Sequence, residues 1–404
     1  MMRRFVGLGL AVAMAASLTA CGGGNATDAT TAGTEAKADA EDAGGNAGGA
    51  EPGDAFRIGM IGPLTGDAAA YGLGVRNAIE LAINEVNEAG GMNGFQVEYN
   101  PQDDEHDPEK AVNAYNTLKD WDMQILIGAV TSKPCIAVSA ESASDNLFQI
   151  TPSGSAVECI SEPNVFRVCF SDPDQGKASA QYISENKLAT KIGVIYDSST
   201  EYSTGILESF QAEAQAVGLE VVAEEAFTAD NATDFSVQID NCKEAGAELL
   251  FMPFYYTEAS TVLKQCADKE YAPIFFGVDG MDGILSVKNF DTSLAEGVML
   301  LTPFSADEAG SQAFVEAYKA AYNDVPNQFA ADAYDAVYAV KAAIEQAKIT
   351  PDMSASDICD AMKVAMTEIT IDGLTGSDMT WTEEGEPNKE PKAAKIENGV
   401  YVMQ

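Results

Sequence analysis

Between Ala55 and Gln404, short apolar runs alternate with longer runs whose apolar residues recur every three or four positions. That alternation is the pattern of βα units wound around parallel sheets. Arg57 to Ile61 reads as a strand. Val75, Ala78, Ile79, Ala82, Ile83 and Val86 then fall on one helical face, with Asn77, Glu80, Asn84 and Glu85 on the other. Gly90-Gly91 stops that helix. A strand near Phe95 to Tyr99 follows, and Asp107 can cap a helix whose first position is Pro108. Ile125 to Val130 and Leu147 to Thr151 complete four expected strands of a first sheet.

The same grammar restarts after Gln175. Strands are expected at Ile192 to Tyr196, Leu219 to Ala223, Glu248 to Met252 and Pro273 to Val278, with helices at Lys177 to Glu185, Gly205 to Val217, Phe235 to Ala245 and Glu258 to Ala267. A strand at Gly297 to Leu301 precedes three helices, Gln312 to Tyr322, Ala331 to Ala347 and Ala355 to Met366. No strand separates them, so they must cover something already built. Asn398-Gly399, between Lys392 to Glu397 and Val400 to Met403, signals a hairpin, expected near the junction of two lobes. A globular part of this length exceeds one ordinary core and predicts an α/β protein of two lobes, each a parallel sheet flanked by helices.

Met1 to Arg4 and the apolar run Phe5 to Ala16 form a secretory signal too short to cross a bilayer as a helix. Leu18-Thr19-Ala20-Cys21 resembles the bacterial lipobox. The resemblance implies cleavage before Cys21 and a diacylglyceryl thioether on its sulfur, two acyl chains being enough for stable anchoring. The chain is therefore expected outside the cytoplasm, lipid-anchored to the cell membrane. Residues 22–54 hold glycine, alanine, threonine and acidic residues with no aromatic and no large aliphatic residue, which predicts a disordered tether spanning roughly 30 Å.

Lysine and arginine number 23 against 63 acidic residues, which excludes nucleic acid and anionic lipid surfaces as partners on electrostatic grounds. With Cys21 assigned to lipid, Cys135, Cys159, Cys169, Cys242, Cys266 and Cys359 remain, and Cys159 and Cys169 are close enough in sequence to bridge a loop, though connectivity stays open. His106 is the single histidine and no CxxC occurs, so no metal site and no cofactor are expected. Gly72-Leu73-Gly74 imitates a dinucleotide loop, but its third glycine is missing and it begins some ten residues after its strand. A hydrolase would need His106 beside Cys135 or a serine. A lone histidine on an acidic loop reads instead as a solvated surface group, and no enzyme activity is expected.

In open parallel sheets, ligands sit beyond the carboxyl ends of the strands. Those loops carry Gly62-Pro63-Leu64-Thr65-Gly66 with Tyr71-Gly72, then Thr131-Ser132, then Thr151-Pro152-Ser153-Gly154-Ser155. Hydroxyls and free amides at helix starts suit a carboxylate. In the second half, Tyr202, Tyr255 and Asp279 follow successive strands, and a carboxylate among phenols suits an ammonium group. Each residue also has an ordinary structural use as a cap, an Asx turn or edge packing.

These residues carry a resemblance. Ile58-Gly59, Gly62 to Gly66, Ala70-Tyr71-Gly72, Asn84 to Asn87, Gly90 to Gly94, Asp103-Asp104 and Asp107-Pro108 run in the order and spacing of the leucine-isoleucine-valine-binding-protein family. Asp174-Gln175-Gly176, Asp234-Phe235-Ser236, Asp279-Gly280, Ala295-Glu296-Gly297 and Tyr334 to Val337 continue it. That family contains the extracytoplasmic receptors of branched-chain amino-acid ABC importers. The resemblance implies the type 1 periplasmic binding protein fold, two Rossmann-like lobes joined by a three-strand hinge. It divides the chain into residues 55–171 plus 304–378 and residues 172–303 plus 379–404. Ser132, Ser153 and Ser155 would bind an α-carboxylate, Ser153 through its backbone. Tyr202, Tyr255 and Asp279 would meet the α-amino group, and Tyr71 would wall the side chain. Three departures stand out: Tyr202-Ser203-Thr204-Gly205 replaces a commoner Tyr-Gly-x-Gly, Lys133-Pro134 interrupts a usually small polar stretch, and His106 occupies a position that is cysteine in some relatives.

The expected activity is capture of an amino acid, leucine, isoleucine or valine, by a monomer that delivers it to a permease with its ATPases. Tyr71, Phe254 and Tyr256 are expected to make the pocket apolar. The alternatives of different class are a sensor of the same fold that feeds a signalling partner, and a receptor for an amide, urea or an aromatic acid.

Overall fold

The computed structural model describes residues 53–404. The signal segment, Cys21 and the tether up to residue 52 lie outside the described residues. The first lobe opens with β1 (Ala55–Gly62), α1 (Ala69–Glu88), β2 (Gln96–Asp103), α2 (Pro108–Asp120), β3 (Ile125–Gly128), α3 (Ser132–Asp145), β4 (Phe148–Thr151) and β5 (Val165–Arg167). Its strands pair in the order β2-β1-β3-β4-β5, every pairing parallel. β3 and β4 are buried along their whole length, which is why they read as unbroken apolar runs rather than as alternation.

The second lobe follows with α4 (Asp172–Glu185), β6 (Lys191–Asp197), α5 (Glu201–Val217), β7 (Glu220–Phe227), α6 (Ser236–Glu244), β8 (Leu249–Met252), α7 (Tyr256–Asp268), β9 (Ile274–Gly277) and β10 (Met299–Thr302). α8 (Gln312–Tyr322), α9 (Gln328–Ala347) and α10 (Ala355–Met366) then return to the first lobe, α8 and α9 against α1 and α10 against β4. The three consecutive helices therefore cover a sheet laid down some two hundred residues earlier. β11 (Lys392–Glu397) and β12 (Val400–Met403) close the chain as an antiparallel hairpin on β10, giving a seven-stranded sheet β12-β11-β10-β9-β8-β6-β7. The hairpin forms where Asn398-Gly399 placed it. It extends one edge of the second sheet, with both residues at positive φ as the turn requires.

The chain passes between the sheets three times, at residues 168–171, 303–311 and 367–391. Asp107 caps α2 as its sequence suggests, accepting the Lys110 amide at 2.9 Å ahead of Pro108, a contact worth about 1 kcal/mol. Two elements escaped the sequence reading. β5 is a three-residue strand, too short to show a period, and makes the first sheet five-stranded instead of four. α3 reads Ser-Lys-Pro-Cys-Ile-Ala-Val-Ser-Ala-Glu-Ser-Ala-Ser-Asp, and its small residues leave almost no amphipathic contrast.

Gly72 shows why the imitation of a dinucleotide loop is a packing device. A β-carbon there would lie 2.0 Å from the Pro63 carbonyl oxygen, so glycine lets the loop after β1 fold against the first turn of α1. Gly74 likewise abuts the Asn327 side chain, which caps α9 through Ala330 N–H and donates to the Ala70 carbonyl at 3.0 Å.

Candidate functional site

The carboxyl ends of the two sheets meet across a narrow cleft lined by Tyr71, Val130, Thr131, Ser153, Tyr202, Tyr255, Asp279, Gly280 and Phe329. Five of the seven residues singled out from sequence line it: Tyr71, Ser153, Tyr202, Tyr255 and Asp279. Ser132 and Ser155 are not on its surface; both are buried within the first-lobe wall.

That wall is held by a lattice of local bonds. Thr151 at the end of β4 donates its hydroxyl to Ala129 O at 2.7 Å and accepts from the amides of Gly154 at 2.8 Å and Ser153 at 3.3 Å. Ser153 donates its hydroxyl to Val130 O at 2.6 Å, so that hydroxyl proton is already committed within the wall. Ser132, at the start of α3, accepts the Ala156 amide at 3.3 Å. The Ser155 hydroxyl makes no hydrogen bond; it lies beside Asp172, whose carboxyl burial pushes well above its ordinary value while Ser155 opposes the shift.

Arg167 organises the segment from the other side. Its guanidinium, almost wholly buried, donates to the carbonyls of Ser155 at 2.5 Å, Ala156 at 3.2 Å and Gly154 at 3.4 Å, and to Glu386 at 2.6 Å. In a trans peptide the next N–H points opposite to the carbonyl. Binding three successive carbonyls to one cation therefore turns the following amides away from it, and that of Ala156 reaches Ser132 Oγ. Burial opposes the Arg167 cation, but the Glu386 carboxylate beside it helps to raise its pKa overall, so the cation persists.

The second-lobe wall has the opposite character. Tyr202 donates to Asp279 Oδ1 at 2.5 Å and accepts the Gly280 amide at 3.0 Å; that amide also reaches Asp279 Oδ1 at 2.6 Å. Asp279 thus contacts the amide of the very next residue while facing the cavity, whereas an Asx turn would use the amide two residues on, which instead bonds Val278 O. Gln175 Oε1 accepts the Asp279 amide at 3.0 Å, and Gln328 Nε2 donates to the Asp279 carbonyl at 3.1 Å. Burial pushes the Asp279 carboxyl up to about 6, with Tyr202, Gly280 and Gln175 opposing the shift. Burial, followed by the field of Asp279, raises the phenols of Tyr202 and Tyr255, which stay neutral donors. The Tyr255 ring lies 5.0 Å from Tyr202 and 5.3 Å from Tyr71, and Phe329 stands 4.5 Å from Tyr71, so aromatic faces surround the carboxylate.

Three expectations need correction. His106 is not a solvated surface group. It is half-buried, its Nδ1 is 2.8 Å from Thr131 Oγ1, and its ring packs edge-on to Tyr255 at 5.5 Å. Glu105 and His106 both take positive φ, which turns the loop back onto α3, and burial with nearby Lys133 lowers the imidazole pKa. Phe254 does not face the cavity; it packs on Phe227 and Phe235 inside the second lobe, whereas Tyr256 stands at the lobe boundary, 5.0 Å from Tyr71, and accepts the Ala70 amide at 3.2 Å. Cys159 and Cys169 form no bridge: all six cysteines among the described residues are free and buried.

Sequence reasoning missed Phe329, Gln328, Gln175 and Arg167 as parts of the site. Phe329 and Gln328 sit in the first turn of α9, where periodicity reports only a core face. Gln175 was visible inside the Asp174-Gln175-Gly176 motif. A lone arginine in a three-residue strand carried no signal.

A parallel sheet and a second sheet parallel but for its closing hairpin, joined by three crossings, with polar groups converging between their carboxyl ends, define a type 1 periplasmic binding protein. A family model described as Periplasmic binding protein matches residues 55–400, and the chain belongs to that family. Its members are solute-binding proteins. The chain is similar to the Leu/Ile/Val-binding protein homolog 3 of Brucella melitensis, 29% identical over 74% of this chain and 81% of that one. It is also similar to the branched-chain amino acid transporter substrate binding protein LivJ of Streptococcus pneumoniae, solved in complex with isoleucine: 27% identity, TM-score 0.76, 87% of this chain and 100% of that one. A solute binding protein from R. palustris in complex with benzoate shares the fold at 20% identity and a TM-score of 0.75, over 86% of this chain and 95% of that one. The resemblance read from the sequence motifs is borne out.

Proposed function

We propose that the chain is the extracytoplasmic receptor of an ABC importer and that it captures one branched-chain amino acid, leucine, isoleucine or valine, between its lobes. The supporting observation is the buried Asp279 carboxylate, held by Tyr202 and framed by Tyr255, directly across one cavity from amide-rich turns at Thr131 and Ser153. A zwitterion satisfies both walls at once. Its carboxylate meets the start of α3 and the 153–155 segment, with Ser132, Ser153 and Ser155 as the first-lobe residues. Its ammonium meets Asp279, Tyr202 and Tyr255, and its side chain lies against Tyr71 and Phe329.

The lobes in this reading comprise residues 55–171 with 304–378 and residues 172–303 with 379–404, turning about the three crossings. Only the closed form offers both sets of contacts, so the ligand favours closure by its differential affinity for that form; hinge closure is the known behaviour of periplasmic binding proteins. Lipid on Cys21 and the residues that follow it would keep a monomeric receptor near its permease. The similarity to proteins named as Leu/Ile/Val-binding supports the choice of ligand.

A benzoate-like acid is the second reading, supported by the aromatic wall of Tyr71, Tyr255 and Phe329. It lacks the cation that Asp279 calls for. Calorimetric titration of the protein against the twenty amino acids, benzoate, urea and short amides separates the two. Tight binding of leucine, isoleucine or valine is the expected result. Tight binding of benzoate, with amino acids no better than millimolar, would overturn the assignment of Asp279 to an ammonium group.

A further inference from the structure

Behind the first-lobe wall, two thiols pack against one glycine. Cys135 lies in the first turn of α3, three residues after Ser132, and Cys159 lies in the short helical turn Val157–Ile160. Gly154 packs against both: a β-carbon on it would sit 3.0 Å from Cys135 Sγ and 3.1 Å from Cys159 Sγ. Cys159 directs its S–H at the Ser132 carbonyl at 3.6 Å, and Gln149 Nε2 approaches Cys135 Sγ at 3.6 Å. Neither thiol is exposed.

We propose that Cys135 and Cys159 are a dithiol–disulfide couple, oxidised outside the cytoplasm by a small-molecule or protein disulfide, that ties the start of α3 to the 153–160 segment and so fixes the first-lobe wall. The packing of both sulfurs on Gly154 brings them together as the segment folds. The Cys135 thiolate attacks the incoming disulfide and expels one thiol, and the Cys159 thiolate then displaces the second. The protein loses two protons and two electrons, which the oxidant takes up as it leaves as two thiols. Because both sulfurs are enclosed, the bond forms while the 153–160 segment is still open during folding.

The proposal draws on the functional reading only for the compartment, and its test uses no ligand. The full chain is unfolded, refolded in glutathione buffers from fully reduced to fully oxidised, quenched with acid, alkylated in denaturant and digested. The expected result is a linked peptide pair containing Cys135 and Cys159, lighter by two hydrogens, with Cys359 alkylated throughout. Amide exchange across 153–160 in the oxidised form should slow by at least about tenfold. Full alkylation of both residues at every glutathione ratio, or a bond from either to a different cysteine, would overturn it. C159S should leave Cys135 alkylated; if that variant does not refold, the mass result on the unaltered chain decides alone.

Discussion

Tyr71, on the first turn of α1, donates its hydroxyl to the carbonyl of Gly280 in the second lobe at 2.5 Å, so a bond between backbone and phenol crosses the cleft beside Asp279. Tyr256 and Thr257 reinforce this side, Tyr256 accepting from Ala70 N–H and Thr257 donating to the Asp67 carbonyl at 3.1 Å. The closed arrangement is thus stabilised by side chains at the cleft mouth as well as by whatever the cleft holds.

Tyr71→Phe keeps the ring and removes the crossing bond. A net contribution of about 0.5–1.5 kcal/mol for such a bond predicts a shift of the ligand-free protein towards open forms and amino-acid affinity weakened by about 2- to 10-fold. Small-angle scattering of the ligand-free variant and calorimetry check the two halves of this expectation. An unchanged radius of gyration would show that other contacts alone set closure.

Asp279 gives a prediction in which binding and stability move in opposite directions. Its carboxyl rises from 3.8 to about 6 on folding, so between those pH values the folded chain holds the proton more tightly and stability falls as pH rises. Above pH 6 the full penalty, on the order of 3 kcal/mol, is present. Asp279→Asn is therefore expected to raise the ligand-free Tm at pH 7.5, with the gain fading below pH 4. The same variant should weaken amino-acid binding by about 2–5 kcal/mol, because the ammonium loses its charged partner. Scanning calorimetry and titration on one sample test both; a variant that binds normally would remove Asp279 from the site.

Arg167 acts at a distance from the cavity, through three carbonyls. Arg167→Met leaves Glu386 and those carbonyls without their cation and should cost about 3–5 kcal/mol of stability. Arg167→Lys preserves charge but not the fork, so it is expected to fold and yet bind at least about tenfold more weakly. Equal affinity for the lysine variant would mean that the 154–156 turn is set by its own sequence.

Lys389, on the third crossing, reaches Asp332 of α9 at 2.5 Å with both side chains almost fully buried, and it also donates to Thr375, which in turn donates to Asp335 at 2.6 Å. Burial raises both carboxyls, Lys389 opposing it most in each case. Asp332→Asn should destabilise by about 3–5 kcal/mol, since an unpaired buried ammonium remains. Replacing the pair together, Asp332→Leu with Lys389→Met, should recover most of that loss. Urea denaturation at pH 7 gives both values, and a double variant no better than the single one would contradict the desolvation argument.

Much of the architecture was present in the sequence because it is local. The periods of the strands and helices, the Asp107 cap and the Asn398-Gly399 turn each depend on a few neighbouring residues. The loops that would carry Tyr71, Ser153, Tyr202, Tyr255 and Asp279 could be named from strand order alone, since parallel sheets always present their carboxyl ends on one side. Where periodicity carried no information, in α3 and β5, the reading failed.

Contacts distant along the chain were decided by folding alone. Nothing near Arg167 announced that it would bind Glu386 and orient the 154–156 carbonyls, and nothing near His106 announced that Thr131 and Tyr255 would enclose it. Phe254 and Tyr256, two residues apart, parted to a core and a cleft edge because α7 begins at Tyr256. Sequence determined which segments form strands and helices and where the chain turns, since those depend on backbone preference and side-chain period. The tertiary structure decided which buried charges meet and which thiols are neighbours, because desolvation and pairing are settled only when both lobes have closed around them.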